Sequence, residues 1–428
     1  MKFDYGKTGL EISLDPSWNV NILQPTPQRV IENPLIEIKK AINNPISCPS
    51  LKSIIRKKQN LNQICVVLSD ATRPVPSHLI LEALVEELNS YGIEDKKIVV
   101  LIATGLHRPS HEEELSRIVG NKLIDRLNVI NHVATDKNSL KYLGKSKNDT
   151  PIYINKAYYE SDLKILTGYV EPHFFFGFSG GRKALIPGIA GVETIQFNHS
   201  AVNISSPYSR FGILKKNPVH KNAIEITKLI GVDFMINVCI DEKHRITQIA
   251  AGDLEKAHEK LVDYQLKKVF KKVTEPYDIV ICGNGGYPLD LNLYQAVKSM
   301  AIGEMAVKRG GTIISVNECS DGIGEGQIKF RELLFSNEKP IDIYNKILNK
   351  EILVPDQWEI QILARVLMKA DIFVISNLKV KELGNIGLKH AENVEEAINL
   401  SIEKHGKDSK ILILPNGPQI LPLLQSQT

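Results

Sequence analysis

Short apolar runs of strand length recur along the chain, and between them lie longer stretches whose apolar residues return at helical spacing. The residues Ile64 to Leu68 read as a buried strand, after which Leu81, Leu84, Val85 and Leu88 mark one face of a helix. Ser77 suits its N-cap and Gly92 its stop. A second strand in KIVVLIA leads through a loop into a helix that Ser110 opens, with Glu113 completing a capping box. Asn128 to Asn131, Leu163 to Thr167 and Phe234 to Ile240 continue the series. Such alternation of strand and helix predicts an α/β domain around a largely parallel sheet.

The same grammar restarts later. A charged helix from Leu254 to Lys271 leads to a domain boundary near Val273, followed by a strand at Tyr277 to Cys282. Next come a helix from Leu291 to Arg309 stopped by Gly310 and Gly311, and a strand at Thr312 to Val316. Gln357 to Lys369 and Val394 to Glu403 read as helices, each followed by a strand, at Ile372 to Ser376 and Ile411 to Leu414. Ahead of all this stand a small hairpin at Lys2 to Asp15 and a short helix near Ile36 to Ile42. The expected architecture is therefore two α/β domains with largely parallel sheets, residues 1–272 and 273–428, with an active-site cleft between them.

Composition narrows the function. A net charge of only +4, with acids and bases interspersed, gives no support to nucleic acid or a membrane surface as partner. The first residues carry charges where a secretory signal needs its apolar core, and no apolar run reaches the roughly 18 residues of a spanning helix. The five cysteines, odd in number and without CxxC pairing, fit reduced thiols, and the expected location is the cytoplasm.

The candidate chemistry collects at strand ends, where α/β sheets bind ligands. Asp70, Thr72 and Arg73 follow one strand, His107 another, and His173, the glycine-rich turn GFSGGRK and His199 follow a third. Arg73 offers a planar fork for a carboxylate or phosphate, although an Asp70–Arg73 pair fixing a turn explains the motif equally well. GFSGGRK resembles a phosphate cradle without matching the spacing of the ATP or NAD loops, and Lys183 within it is placed to present an amine. His173 and His199 read either as metal ligands or, for His199, as the cap of a helix beginning near Val192. In the second half, Tyr294, Gln295 and Lys298 share the first turns of a helix, and Trp358 begins another.

Taken together, DATRPVP, ATGLHRP, GYVEPHFFFGFSGGRKALIPGIAG, NH and YQAVK resemble, in that order and across nearly the whole chain, the nickel-pincer lactate racemase family. The resemblance implies a racemase of 2-hydroxy acids. Its cofactor would be nickel held in a pincer nucleotide, pyridinium-3-thioamide-5-thiocarboxylic acid mononucleotide, attached to Lys183. It further implies His199 as nickel ligand, His107 and His173 as the two acid/base residues, and Arg73, Tyr294, Gln295, Lys298 and Trp358 as substrate-binding residues. Asp70, Thr72, Gly177, Ser179, Gly180 and Gly181 fall to cofactor binding, and cofactor-maturation proteins become expected partners. One departure is Ala71, where the family pattern leads one to expect a histidine. Other classes remain open: racemisation or epimerisation of another 2-hydroxy acid, a zinc-dependent hydrolase using His107, His173 and His199, and a non-catalytic binder of an anionic nucleotide.

Overall fold

The computed structural model describes residues 1–58, 61–354 and 356–424. The chain divides into two compact units, Gln28–Leu266 and a second made of Met1–Pro27 with Lys267–Thr428. This departs from a division at residue 272 in both directions. The strand Asn19–Ile22 pairs in parallel with Lys410–Leu414, so the first residues complete the sheet of the later unit. Phe270–Val273 likewise pairs with Leu421–Leu424. Neither partnership leaves a local signal, because each joins segments far apart in sequence.

The unit Gln28–Leu266 is built on a six-stranded sheet in the order Ile246–Gly252, Phe234–Ile240, Leu163–Tyr169, Ile64–Ser69, Ile98–Ala103, Asn128–Asn131. All neighbours are parallel except the Ile246–Gly252 edge. Continuous apolar runs such as Ile64 to Leu68 and Ile98 to Ile102 are buried along their length, as expected of strands covered on both faces. The chain starts at Ile64–Ser69, builds outward to Asn128–Asn131, then returns to the other side of its first strand with Leu163–Tyr169. The order thus reverses between these two strands, and their carboxyl ends open a crevice there.

The second unit repeats the device with six parallel strands in the order Leu388–His390, Asp371–Ile375, Val307–Val316, Tyr277–Gly283, Lys410–Leu414, Asn19–Ile22. Its reversal lies between Tyr277–Gly283 and Lys410–Leu414. There the chain's own beginning is bonded to the loops that follow: Asp4 N–H donates to Pro415 O at 3.1 Å, Tyr287 N–H to Gly6 O at 2.9 Å, and Gly6 N–H to Asp290 Oδ2 at 2.7 Å.

Most elements stand where the pattern put them; Pro76 and not Ser77 is the N-cap of Ser77–Ser90, the helix from Leu254 ends at Val269, and two further boundaries moved for visible reasons. The helix expected to open at Ser110 runs Glu112–Val119 with His111 as N-cap, and Glu114 Oε2 accepts the His111 N–H at 2.9 Å. Ser110 is unavailable because its N–H and C=O both bond the side chain of Asn131. The helix expected to reach Arg309 ends at Glu304, and Val307–Val316 is already strand, so Gly310 and Gly311 sit in a bulge between Val307 and Thr312.

Candidate active site

The crevice of the unit Gln28–Leu266 is flanked by the DATR turn after Ile64–Ser69 and the EPH segment after Leu163–Tyr169. Asp70 is buried, at 4% exposure, yet both its oxygens are used. Oδ1 accepts from the Thr72 hydroxyl at 2.7 Å, and Oδ2 lies 2.6 Å from His107 Nδ1. Burial would raise the Asp70 carboxyl, but the charge and hydrogen bond of His107, nearby Arg73 and the Thr72 hydroxyl together hold it below the ordinary range. The ionised acid accepts from His107 Nδ1–H, which leaves Nε2 as the ring nitrogen that Asp70 does not engage. Asp70, expected with Thr72 at the cofactor, is thus hydrogen-bonded to both Thr72 and His107.

The His107 loop is tied to the lysine-bearing loop through Gly105 N–H, which donates to Gly188 O at 2.9 Å. The segment after Leu163–Tyr169 doubles back on itself, His173 pairing with Gly177 across a two-stranded ribbon. This turn gathers three phenylalanines beside His173, and the Phe176 N–H points at His173 Nδ1 from 3.3 Å. The Phe176 ring is common ground for the remaining groups. Lys183 Nζ sits 4.5 Å from its centroid, and the rings of His199 and His173 stand 5.6 and 5.8 Å away. Sequence neighbours and the more distant His199 are thereby brought together around one aromatic side chain.

His199 is the C-cap of the helix Val192–Asn198, so the cap reading of its backbone holds, while its ring is buried against Phe175 and Phe176. Burial first, then the charge of Lys183, pushes its pKa down to about 3, so the ring is a neutral donor at ordinary pH. Among the described residues no group of three or more His, Cys, Asp or Glu is arranged to hold a metal ion.

The glycine turn differs from the expected anion cradle. Ser179 N–H donates to Glu171 O at 2.8 Å, its hydroxyl donates to Tyr169 O at 2.9 Å, and Gly181 N–H donates to Asn237 Oδ1 at 2.7 Å. These groups are spent inside the protein, so Ser179 and Gly181 shape the turn. Gly180 has φ +73° and no room for a Cβ, which would meet Asn237 Oδ1 at 2.7 Å and Tyr169 O at 2.8 Å. Gly177, with φ +81°, is equally closed, since a Cβ there would collide with the Ile213 carbonyl.

Pattern reasoning missed several groups here. Tyr169 is buried with its hydroxyl donating to Glu171, close enough to Arg73 and Asp70 to feel both charges. Asn237 and the fully buried Arg182 and His258 support the turn from behind. Arg182 carries no local signal of this role, because a buried arginine runs against the usual habit of that residue.

In the second unit, Asn292 caps the helix Leu293–Glu304 by accepting from Gln295 N–H at 3.0 Å, which sets Tyr294, Gln295 and Lys298 in its first turns. Lys298 Nζ donates to Gln295 Oε1 at 2.5 Å, and Tyr294 OH to Asp356 Oδ1 at 3.3 Å. Trp358, 8% exposed, starts the helix Gln357–Leu367 beside Glu359. Burial pushes the Glu359 carboxyl up to about 8 despite the nearby Lys298 charge. Glu359 and Asp356 went unnoticed in the sequence because a single acid at a helix start is ordinary.

The family models for the lactate racemase N-terminal and C-terminal domains match residues 5–212 and 272–421. The chain belongs to the lactate racemase family. It is 38% identical over 388 residues to a lactate racemase of Thermoanaerobacterium thermosaccharolyticum, covering 90% of this chain and 89% of that protein. It is 39% identical over 384 residues to one from Lactiplantibacillus plantarum, covering 89% of each. The fold matches the lactate racemase apoprotein of T. thermosaccharolyticum with a TM-score of 0.90 at 34% identity, over 98% of this chain and 99% of that one. A Thermotoga maritima protein shares the fold alone, with a TM-score of 0.68 at 20% identity over 91% of this chain and 98% of that one. Family membership makes the chain an isomerase, and the family names the reaction class that the site must serve.

Proposed function

We propose that this protein interconverts the enantiomers of a 2-hydroxy acid, lactate foremost, with His107 and His173 as its two acid/base residues and Lys183 as the attachment point of a nickel-pincer nucleotide. The observation that carries this reading is the gathering of His173, Lys183 and His199 around Phe176, beside a crevice in which buried Asp70 orients His107.

Inverting C2 requires its hydrogen to leave one face and return to the other. That C–H is barely acidic beside a carboxylate, so the easier route removes hydride from C2 as a base takes the hydroxyl proton, giving a planar 2-keto acid. When bound, the nickel-pincer nucleotide supplies the hydride acceptor that side chains lack. His107 takes or returns the hydroxyl proton at Nε2, its other nitrogen held by Asp70, and His173 does the same for the opposite enantiomer. Arg73 grips the carboxylate with two parallel hydrogen bonds, so that C2 and its oxygen reorient while the acid stays anchored. Lys183 offers the amine, and His199, neutral through burial, offers one imidazole to nickel. A single protein donor suits a metal whose remaining ligands arrive with an organic chelate.

Tyr294, Gln295, Lys298 and Trp358 are assigned to substrate binding on the resemblance. Cofactor-maturation proteins and a cytoplasmic setting belong to the same proposal, and among the described residues no helix is long and apolar enough to cross a membrane. Chiral analysis of D- and L-2-hydroxy acids incubated with nickel-loaded, matured protein tests the reading, with lactate expected to racemise fastest. His107→Ala and His173→Ala should each stop both directions while leaving the adduct on Lys183. Near-normal turnover in either variant would disprove the two-base assignment.

A further inference from the structure

Arg182, directly before the lysine, is the largest fully buried side chain among the described residues, at 1% exposure. Its guanidinium donates to Phe176 O at 3.1 Å, Phe178 O at 2.7 Å, Ser179 O at 3.2 Å and Gly180 O at 3.1 Å. Nη1 also lies 3.0 Å from His258 Nε2, which is itself 2.8 Å from Ser179 O. A neutral imidazole nitrogen makes one of those two bonds at a time, so the loop carbonyls remain the main partners. Burial lowers the Arg182 pKa to about 9, which still leaves it charged at neutral pH.

A buried cation facing carbonyls is a costly arrangement that packing alone does not call for. Its geometry shows what it accomplishes. The residues whose carbonyls it holds are those that turn the chain from His173 towards Lys183. Phe176 is gripped twice, by its carbonyl and by its ring, whose centroid lies 5.3 Å from Arg182 Cζ. Lys183 rests on the same ring at 4.5 Å. The short turn Gly181–Ala184 is a 3-10 helix, in which neighbours project about 120° apart, so Arg182 enters the core while Lys183 is turned elsewhere.

We propose that Arg182 is a positioning residue for the Lys183 amine, its guanidinium locking residues 176–180 so that the Phe176 ring and Lys183 keep a fixed relation. The inference rests on Lys183 as the attachment point. A lysine at position 182 is a point charge on a flexible stem and lacks the planar fork that spans several carbonyls.

The test compares Arg182→Gln, Arg182→Lys and Lys183→Ala with the native chain. In the apoprotein, labelling of residue 183 by a small amine-reactive ester, followed by peptide mapping, should rise severalfold in Arg182→Gln relative to surface lysines. After maturation, intact mass should show adduct per folded chain falling about tenfold or more, the scale of a misplaced reacting group. Arg182→Lys should restore part of it. If Arg182→Gln does not fold, Arg182→Lys, which keeps a buried cation without the planar fork, is read in the same way, with a smaller loss expected. Native labelling and native adduct yield in folded Arg182 variants would overturn the inference. A lowered melting temperature with full adduct on the surviving folded chains would also overturn it, since that is the mark of a merely structural residue. Lys183→Ala separates the two readings: an adduct persisting there ends the attachment role itself, whereas its loss beside intact Arg182→Gln ends only the positioning role.

Discussion

At the scale of single residues, the polar groups around the crevice are fixed by specific partners. Asp70 spends one oxygen on Thr72 and the other on His107, so its value lies in the proton it fixes on Nδ1. Asp70→Asn keeps the shape but no longer selects that tautomer, and kcat should fall by about 10²- to 10⁴-fold with little change in KM. Steady-state kinetics in both directions checks this. Arg73→Lys removes the fork and retains the charge. Losing one hydrogen bond to a carboxylate, worth about 1.5–3 kcal/mol, should raise KM roughly ten- to a hundredfold, and an unchanged KM would exclude Arg73 as the carboxylate anchor.

At the scale of elements, the glycine turn is a close-packed joint between the strands Leu163–Tyr169 and Phe234–Ile240. Gly180→Ala forces a Cβ against Asn237 Oδ1 and Tyr169 O at a left-handed φ, and Asn237→Ala strands the Gly181 N–H. The conformational term alone is about 1–2 kcal/mol for the first substitution. The unloaded protein should therefore melt at least about 2 °C lower, at roughly 2–4 °C per kcal/mol for a unit of this size. Thermal unfolding monitored by circular dichroism decides it. The strand Asn19–Ile22 makes a different point: deleting residues 1–27 should destabilise the unit containing Lys410–Leu414 and leave Gln28–Leu266 folded. Hydrogen exchange would show protection lost only in the unit containing Lys410–Leu414.

At the scale of the whole molecule, histidines held neutral by burial are concentrated in the unit Gln28–Leu266. His132 is the clearest case: Nε2–H donates to Ala190 O at 2.9 Å, and Nδ1 accepts from Asn155 Nδ2 at 3.2 Å. Burial lowers its pKa to about 4, against the opposing pull of the Ala190 bond. The unfolded chain therefore binds a proton near pH 6.5 that the folded one refuses. Its contribution is complete above about pH 6.5 and is lost as pH falls towards about 4, on the order of 3 kcal/mol in all. His258 is depressed for the same reason. Urea unfolding at pH 7 and pH 5 should show this unit weakening first on acidification, and His132→Asn should flatten the dependence.

Much of this protein was legible in its sequence, for physical reasons that particular residues make plain. Buried runs such as Ile64 to Leu68 announce strands because only strands covered on both faces are apolar throughout, and turning from strand to helix at regular intervals implies parallel sheets. The order of the DATRPVP, GLHRP, EPHFFFG and GGRK motifs indicated the family. What the sequence could not carry is pairing at a distance. The Asn19–Ile22 strand closes a sheet begun far along the chain, Ser110 loses its capping role to Asn131, and Asn237 consumes an amide that looked free for an anion. Likewise only the tertiary structure shows Asp70 bonded to His107, and Arg182 bonded to the carbonyls of the loop that carries Lys183. Types and order of residues follow from local chemistry, whereas the partner each polar atom receives is decided by which strands the fold sets side by side.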